Sequence, residues 1–133
     1  MGRAEGEKIV QQAMKPRTFR LSTGLCLTRV KGGVITAACK HKQPAQIWRF
    51  DDLGRIVHKS GVCLATAGKA GVPGTRVTAT ACGKSAQFKW RPKPNGLLIN
   101  GGKACLHASG NLKKPGAGVI IAGCKGGAAQ AWE

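Results

Sequence analysis

Residues 25–48 read LCLTRVKGGVITAACKHKQPAQIW, and the chain repeats this pattern twice more. Each copy begins with Cys-Leu, passes through a glycine-rich stretch and a β-branched run to a second cysteine, and ends with Ala-Gln close to a tryptophan. The tryptophans stand at 48, 90 and 132, and the second cysteines stand at 39, 82 and 124. Self-similarity at a fixed period is the signature of a repeat architecture. The sequence therefore predicts three units, over about residues 18–53, 54–94 and 95–133.

Each unit contains short apolar or β-branched segments, such as 34–36, 76–80 and 119–121. Turn signals such as Pro94-Asn95-Gly96 separate these segments. This alternation indicates several short strands in each unit, whereas solenoid repeats of similar length are mostly helical. We expect the three units to close into a threefold all-β body with few free edges, and a three-bladed propeller is the alternative.

The composition excludes several classes of protein. The 133 residues contain no apolar run near the ~20 residues that a membrane-spanning helix needs. The chain has only 5 acidic residues, with none between Leu53 and Trp132. Glycosidase chemistry with paired carboxylates and carboxylate-rich calcium or magnesium sites are therefore disfavoured.

The charge is strongly positive, because 22 Lys and Arg residues face those 5 acids and give a net charge of +17. Such a surface attracts polyanions, including nucleic acid, anionic lipid and sulfated glycans. The alternative is that the charge only keeps a secreted protein soluble. Without a recognition helix and with few aromatic residues, any nucleic-acid binding would be unspecific.

Six cysteines in a short chain suggest disulfides and an oxidising compartment. Residues 1–20 do not resemble a signal peptide, so we expect a secreted protein whose leader has been removed. A cytosolic protein with free thiols or zinc is the alternative, although the chain has no Cys-x-x-Cys pair. Residues 1–17 lie outside the repeats and are predicted to form an N-terminal tail or a short helix.

Three copies of Cys-Leu … Cys … Gln-x-Trp resemble the ricin B-type, or R-type, β-trefoil lectins over about residues 18–133. The motif is regular in the first and third copies, whereas in the second the tryptophan comes one residue late. The motif residues are Gln46 and Trp48, Gln87 and Trp90, and Gln130 and Trp132. The resemblance implies a pseudo-threefold β-trefoil in which these side chains belong to the framework.

The resemblance also implies one disulfide within each repeat. The implied pairs are Cys26–Cys39, Cys63–Cys82 and Cys105–Cys124. Six cysteines allow 15 pairings, and this choice is supported because it repeats in phase. It leaves no free thiol for a Cys-His nucleophile.

Sugar pockets in R-type lectins typically use an Asp two residues after the first Cys, an aromatic residue about two before the second Cys, and an Asn before Gln. The Asp positions hold Thr28, Ala65 and His107, the aromatic positions hold Ala37, Thr80 and Ala122, and the Asn positions hold Ala45, Ala86 and Ala129. None of the nine matches. A site without its carboxylate loses charge-assisted hydrogen bonds, which are about twice as strong as neutral ones. The usual binding of neutral galactose is therefore not expected.

Two sets of residues remain as candidate ligand contacts. His107, Asn111 and Lys113 belong to the third repeat, whose pocket is the least altered. Lys40, Lys42, Lys84 and Lys125 follow the second cysteines, and pseudo-threefold packing would bring their loops to one end of the body. Scattered, solvated lysines are the alternative.

The sequence therefore predicts a secreted binding module, with no catalytic residue, metal or cofactor. The expected partners are glycans, and anionic ones such as sulfated chains fit the charge best. The alternative is a protein-interaction or targeting subunit, belonging to a toxin or to a secreted enzyme, with no sugar binding of its own.

Overall fold

The computed structural model describes residues 15–133 and consists of short antiparallel strands joined by turns. The strands are β1 (Leu25–Val30), β2 (Gly33–Ala38), β3 (Trp48–Phe50), β4 (Ile56–His58), β5 (Cys63–Thr66), β6 (Val77–Thr80), β7 (Trp90–Pro92), β8 (Leu98–Asn100), β9 (Ala104–Ala108) and β10 (Val119–Gly123). Single 3₁₀ turns cover Pro44–Gln46, Ala86–Phe88 and Pro94–Gly96. Within the described residues, no helix has the length and apolarity needed to cross a bilayer. The predicted tail or helix at 1–17 lies almost wholly outside them.

The strands form three antiparallel groups, and the last strand of the first and of the second repeat pairs with the strands of the repeat that follows. β1 pairs with β2, β3 to β6 form a four-stranded meander, and β7 to β10 form a second one. The two ends of the described chain close the body, because the N–H groups of Arg20 and Glu133 each donate to the other's carbonyl oxygen at 2.8 and 2.7 Å. The prediction of an all-β, pseudo-threefold trefoil is confirmed.

The second strand of each hairpin, β2, β6 and β10, meets its counterparts near the pseudo-threefold axis. Isolated bridges join Ile35 to Gly118 and Arg76 to Ile120. Between them the backbone N–H of Thr36 donates to Ala117 O at 2.9 Å. The three repeats therefore contact one another through these strands, which we call the axial strands.

The three tryptophans occupy equivalent places in the core and are at most 3% exposed. Each indole Nε1–H donates to the carbonyl of the leucine that follows the first cysteine of its own repeat. The donor–acceptor distances are 3.0 Å from Trp48 to Leu27, 2.9 Å from Trp90 to Leu64 and 3.0 Å from Trp132 to Leu106. A buried indole N–H needs such a partner, so the repeated Cys-Leu and Trp elements are one structural unit.

The disulfides are those that the resemblance implied. Cys26–Cys39, Cys63–Cys82 and Cys105–Cys124 link residues separated by 13, 19 and 19 positions, and no described cysteine is free. Each bridge ties the two strands of one hairpin together. A closed loop of about 15 residues contributes about 3 kcal/mol in the chain-entropy model.

Asn100 is a buried polar residue that organises the boundary between the second and third repeats. Its side chain is 0% exposed, and its Oδ1 accepts from the Gly71 N–H at 2.9 Å. Its Nδ2 lies 3.1, 3.3 and 3.4 Å from the carbonyl oxygens of Lys89, Gln87 and Ala86. The amide thereby satisfies a loop and a turn that would otherwise carry unpaired backbone groups.

His58 stands in β4 where Asn100 stands in β8, since Trp48 pairs with His58 and Trp90 pairs with Asn100. The His58 ring packs edge-on against Trp48 with 4.8 Å between centroids. Its Nδ1 accepts from the Ser60 N–H at 3.1 Å, and its buried Nε2 has no hydrogen-bond partner among the described residues. Burial, and then the positive charge of Arg29, lower the pKa of His58.

Candidate functional site

The pocket position of the first repeat is closed by its own framework. Thr28 stands where the Asp is expected and is buried. Its Oγ1 donates to the Cys26 carbonyl at 2.8 Å and lies 3.2 Å from Gln46 Nε2, which donates to it. Gln46 Oε1 in turn accepts from the Lys40 N–H at 3.0 Å. The polar atoms that could face a sugar are therefore engaged within the protein.

The second repeat has a different register from the one predicted. The 3₁₀ turn Ala86–Phe88 precedes Trp90 as Pro44–Gln46 precedes Trp48, so Phe88 takes the place of Gln46. Gln87 consequently occupies the Asn position, which the sequence comparison had assigned to Ala86. Its Nε2 donates to the carbonyl oxygens of Gly68 at 2.7 Å and Thr66 at 3.3 Å. Gln87 is therefore not the counterpart of Gln46, which corrects the sequence prediction.

Gly83 explains how a phenyl ring fits in place of the amide. A Cβ atom at Gly83 would lie 2.7 Å from Phe88 Cε2, closer than real Cβ contacts allow. The loop after Cys82 therefore packs on an apolar ring, whereas the loops of the other repeats are bound by a glutamine. The remaining pocket positions of this repeat are the buried Ala65 and the exposed Thr80, which provide no carboxylate or aromatic group.

The third repeat retains one polar pair at its pocket position. Gln130 Oε1 accepts from the N–H groups of Lys125 at 2.9 Å and Gly126 at 3.0 Å, which fixes the orientation of the amide. Gln130 Nε2 therefore faces His107 Nδ1 at 3.3 Å as a donor. Nδ1 must accept, so the neutral His107 ring carries its proton on Nε2. His107 is partly exposed and can offer one N–H to a ligand.

Asn111 and Lys113 lie in the loop beyond β9. Asn111 Oδ1 accepts from the Lys113 N–H at 2.8 Å, so the side chain folds its own loop. No hydrogen bond in the described part of the chain joins either residue to His107. The three residues predicted as one site are therefore not connected by hydrogen bonds.

The predicted lysines are exposed and distributed one loop per repeat. Lys40 and Lys42 follow β2, Lys84 follows β6, and Lys125 follows β10. Each comes after the second cysteine, beyond the end of an axial strand. The backbone N–H groups of Lys40 and Lys125 are bound by Gln46 and Gln130, so the framework glutamines hold these loops.

Most of the positive charge has no protein partner. The ion pair found among residues 15–133 joins Arg55 Nε to Asp51 Oδ2 at 2.7 Å. Burial alone would raise the pKa of Asp51, but hydrogen bonds from Arg55 and Leu53 and the charge of Arg55 outweigh it and lower the pKa. Except for Arg3 and Lys8, all 22 basic residues lie in the described part of the chain. The positive potential of these side chains therefore extends into the solvent, where it can attract anionic ligands.

Two clefts lie away from the predicted pockets. A cleft of about 510 Å³ is lined by aromatic and charged residues, including Phe19, Phe50, Trp132 and Lys93. Another, of about 320 Å³, lies among the axial strands. Neither includes Thr28, Ala65 or His107. The sequence reasoning missed both clefts, because each is assembled from segments of different repeats.

Comparison with known proteins places these observations in a family. The profile of the ricin-type β-trefoil lectin domain matches residues 5–90. No curated protein matches the chain. Among solved structures, the designed threefold-symmetric protein ThreeFoil has a TM-score of 0.77 at 21% identity, with 89% of this chain and 96% of that one covered.

Two natural lectins are similar in fold. The C-half of the earthworm R-type lectin, solved in complex with GalNAc, has a TM-score of 0.75 at 17% identity, covering 90% of this chain and 96% of that one. The β-trefoil lectin of the Vibrio vulnificus hemolysin/cytolysin, solved with N-acetyl-D-lactosamine bound, has a TM-score of 0.71 at 21% identity, covering 91% and 93%. The repeated Cys-Leu and Trp framework, the trefoil topology and the matching profile together show that this chain belongs to the ricin-type β-trefoil lectin domain family of carbohydrate-binding modules.

Proposed function

We propose that this protein is a secreted, non-catalytic module that binds anionic glycans through surface charge rather than neutral sugars through the usual pockets. The observation that carries the proposal is the combination of engaged or apolar pocket positions with a largely unpaired positive surface. The three disulfides support an extracellular location, because such bonds persist in oxidising compartments.

The pocket positions argue against binding of neutral galactosides. The Thr28 hydroxyl is hydrogen-bonded to the Cys26 carbonyl and to the Gln46 amide, and Ala65 offers only a buried methyl group. His107 retains one N–H toward solvent beside Ala122 and Ala129, so a sugar there would have no carboxylate and no stacking platform. A single neutral hydrogen bond contributes about 0.5–1.5 kcal/mol, which is too little for specific sugar binding.

The charge argues for polyanions. With a net charge of +17 and one ion pair among the described residues, the surface attracts any ligand with closely spaced negative groups. Sulfated glycans present such groups on a sugar backbone. Attraction of this kind is screened over about 8 Å at physiological ionic strength, so the affinity should fall steeply with salt.

Titration calorimetry at low and physiological salt tests the proposal. Heparin should bind, chemically desulfated heparin should bind much more weakly, and lactose should not bind. Reversing Lys40, Lys42, Lys84 and Lys125 to Glu should weaken heparin binding in proportion to the charge removed. The His107→Ala variant should behave like the wild type, since it keeps the charge.

Two outcomes would overturn the proposal. Tight, salt-independent binding of galactose or lactose would show that the family pocket survives in another form. Silence toward every glycan, together with capture of a defined protein ligand, would favour the protein-interaction or targeting role instead.

A further inference from the structure

The cleft of about 320 Å³ among the axial strands has a floor built by all three repeats. Val34, Val77 and Val119 line it and are 5%, 1% and 0% exposed. They occupy equivalent positions at the starts of the axial strands, since each lies five residues before the second cysteine of its repeat. We call this depression the axial cleft. Its floor is apolar and rigid, because these side chains belong to the core.

The rim of the axial cleft is positively charged. Lys31, at the β1–β2 turn, and Arg76, just before β6, both line the cleft and are exposed. No carboxylate of residues 15–133 lines it. The loop that carries Lys113 and Lys114 leads directly to Gly116, whose N–H donates to Thr36 O at 2.6 Å and fixes that loop to the rim. Cations from two hairpins, Lys31 and Arg76, therefore line one depression, and the loop of the third hairpin borders it at Gly116.

Glycines keep the axial cleft open. Gly32, Gly33, Gly116 and Gly118 line it. A Cβ atom at the first three would meet nothing within 4 Å, and at Gly118 it would meet only Ser109 Oγ at 3.9 Å. Gly32 and Gly116 have positive φ angles, but Gly33 and Gly118 do not, so their backbone would accept a side chain. The space at Gly33 and Gly118 is thus open although no backbone requirement excludes a side chain there.

We propose that the axial cleft binds a tetrahedral oxyanion carried on a sugar, that is, a sulfate or phosphate ester of an anionic glycan. Arg76 offers a planar fork of N–H donors that matches such an oxyanion, and Lys31 offers a second charge. The three valines are buried beneath the cleft, so a sugar ring would rest on the exposed backbone of the lining glycines above them. The volume lies at the lower end of the 300–1,000 Å³ range of small-ligand sites, which fits one substituted sugar.

This inference rests on the proposed function, because it assigns a site to the binding of anionic glycans. It differs from the family pockets, which lie within single repeats, since the axial cleft needs all three. The axial site also distinguishes binding at one defined position from general attraction to the positive surface. Charge at the rim of this cleft should matter more than the same charge elsewhere on the surface.

Two matched pairs of variants test the site by calorimetry with a heparin-derived tetrasaccharide. The double variant Lys31→Gln/Arg76→Gln removes two charges from the rim, and the control Arg49→Gln/Arg91→Gln removes two from exposed positions on β3 and β7. Gly118→Leu fills the cleft without changing the charge. Its control is Gly123→Leu, at a glycine whose φ is ordinary and whose Cβ would also meet nothing within 4 Å.

Hydrogen bonds to charged groups are stronger than neutral ones, so we expect the rim variant to lose at least about tenfold in affinity. Gly118→Leu should lose a similar factor, and each control should lose less than about threefold. Glucose 6-sulfate and glucose 6-phosphate should compete for the wild type where glucose does not, and the stronger of the two identifies the ester. Circular dichroism melts identify any variant that fails to fold. If a glycine variant fails to fold, the comparison of the rim variant with its charge control decides whether the site exists.

The outcomes distinguish this inference from the proposed function. Equal losses in both charge pairs would overturn the axial site and leave diffuse binding of anionic glycans standing. Wild-type protein that binds neither heparin nor the sugar esters would overturn both. Duplex DNA is a further competitor. If it displaces the tetrasaccharide equally well from the wild type and from the rim variant, binding is unspecific for polyanions, and the axial site is overturned.

Discussion

Replacement of Asn100 by Asp is expected to produce a pH-dependent loss of stability. The substitution keeps the size of the side chain and the oxygen that accepts from the Gly71 N–H at 2.9 Å. It removes the Nδ2 donor and places an oxygen near three carbonyl oxygens, of which the Lys89 carbonyl is the nearest at 3.1 Å. The site is 0% exposed, and the hydrogen bonds of the Asn100 side chain all go to backbone groups. A carboxylate there would be buried and surrounded by negative dipoles.

The magnitude follows from two contributions. The protonated carboxyl has one O–H donor where the amide has two N–H donors, so even at low pH a buried acceptor is left unpaired, at a cost of about 1–3 kcal/mol. Burial would also raise the pKa of the new carboxyl by about three units above its unfolded value near 4. The folded state then binds the proton more tightly than the unfolded state, so the free energy of unfolding falls as the pH rises. The slope is about 1.4 kcal/mol per pH unit, or about 4 kcal/mol between pH 4 and pH 7.

Urea unfolding of the wild type and Asn100→Asp at pH 4 and pH 7 measures this difference. Asn111→Asp is the matched control, because Asn111 is exposed and Asp would keep the acceptor for the Lys113 N–H. The control should lose less than about 0.5 kcal/mol at either pH. An Asn100→Asp variant whose loss is the same at both pH values would refute the view that this amide is a buried donor.

Three further predictions concern the framework. Trp48→Ala should lower the free energy of unfolding by about 3–5 kcal/mol, because it leaves a cavity and an unpaired Leu27 carbonyl, and a full wild-type melting transition would contradict the core assignment. The Cys63→Ala/Cys82→Ala variant should lose about 3 kcal/mol in urea unfolding, since its closed loop is released; an unchanged midpoint would argue against the bond's contribution. Because the pKa of His58 is lowered, its contribution to stability is complete above pH 6.5 and is lost as the pH falls toward the folded-state pKa. His58→Asn should flatten that part of the pH profile, and an identical profile would mean that another group titrates.

The framework was predictable because its residues recur in phase. Trp48, Trp90 and Trp132 carry the period, and their indole groups use the same leucine carbonyl in each repeat. The disulfides and the indole hydrogen bonds act within one repeat, so a local pattern contains the information needed for them. The pairing was implied by resemblance and repetition rather than by spacing alone.

The register of the second repeat was not predicted, because the comparison counted from the glutamine. The backbone instead places the 3₁₀ turn relative to Trp90, whose position is constrained by its hydrogen bond to Leu64. Counting back from the tryptophan would have assigned Phe88 to the glutamine position. The contact between Gly83 and Phe88 could not be inferred, since it depends on the path of a surface loop.

The axial cleft was also missed, although its parts are visible in the sequence. Val34, Val77 and Val119 share the repeat spacing, but a sequence pattern does not show that three equivalent valines share one floor. Lys31 and Arg76 occupy unlike positions in their repeats, so no periodic signal connects them. The sequence gives the net charge of the protein. Which charged side chains lie next to one another depends on how the three hairpins pack.

The pairing of Arg20 with Glu133 has a consequence for the order of folding. Those backbone hydrogen bonds join residues 113 positions apart, whereas the disulfides span at most 19. The bridges can therefore form in each hairpin as it is synthesised, and they leave the entropy of joining the two distant segments almost undiminished. We therefore expect the pairing of Arg20 with Glu133 to form late and slowly, since contacts of large sequence separation form slowly. Until the final residues are available, the segment around Phe19 has no partner on one edge, and during that interval the nascent chain is most exposed to strand pairing with another copy.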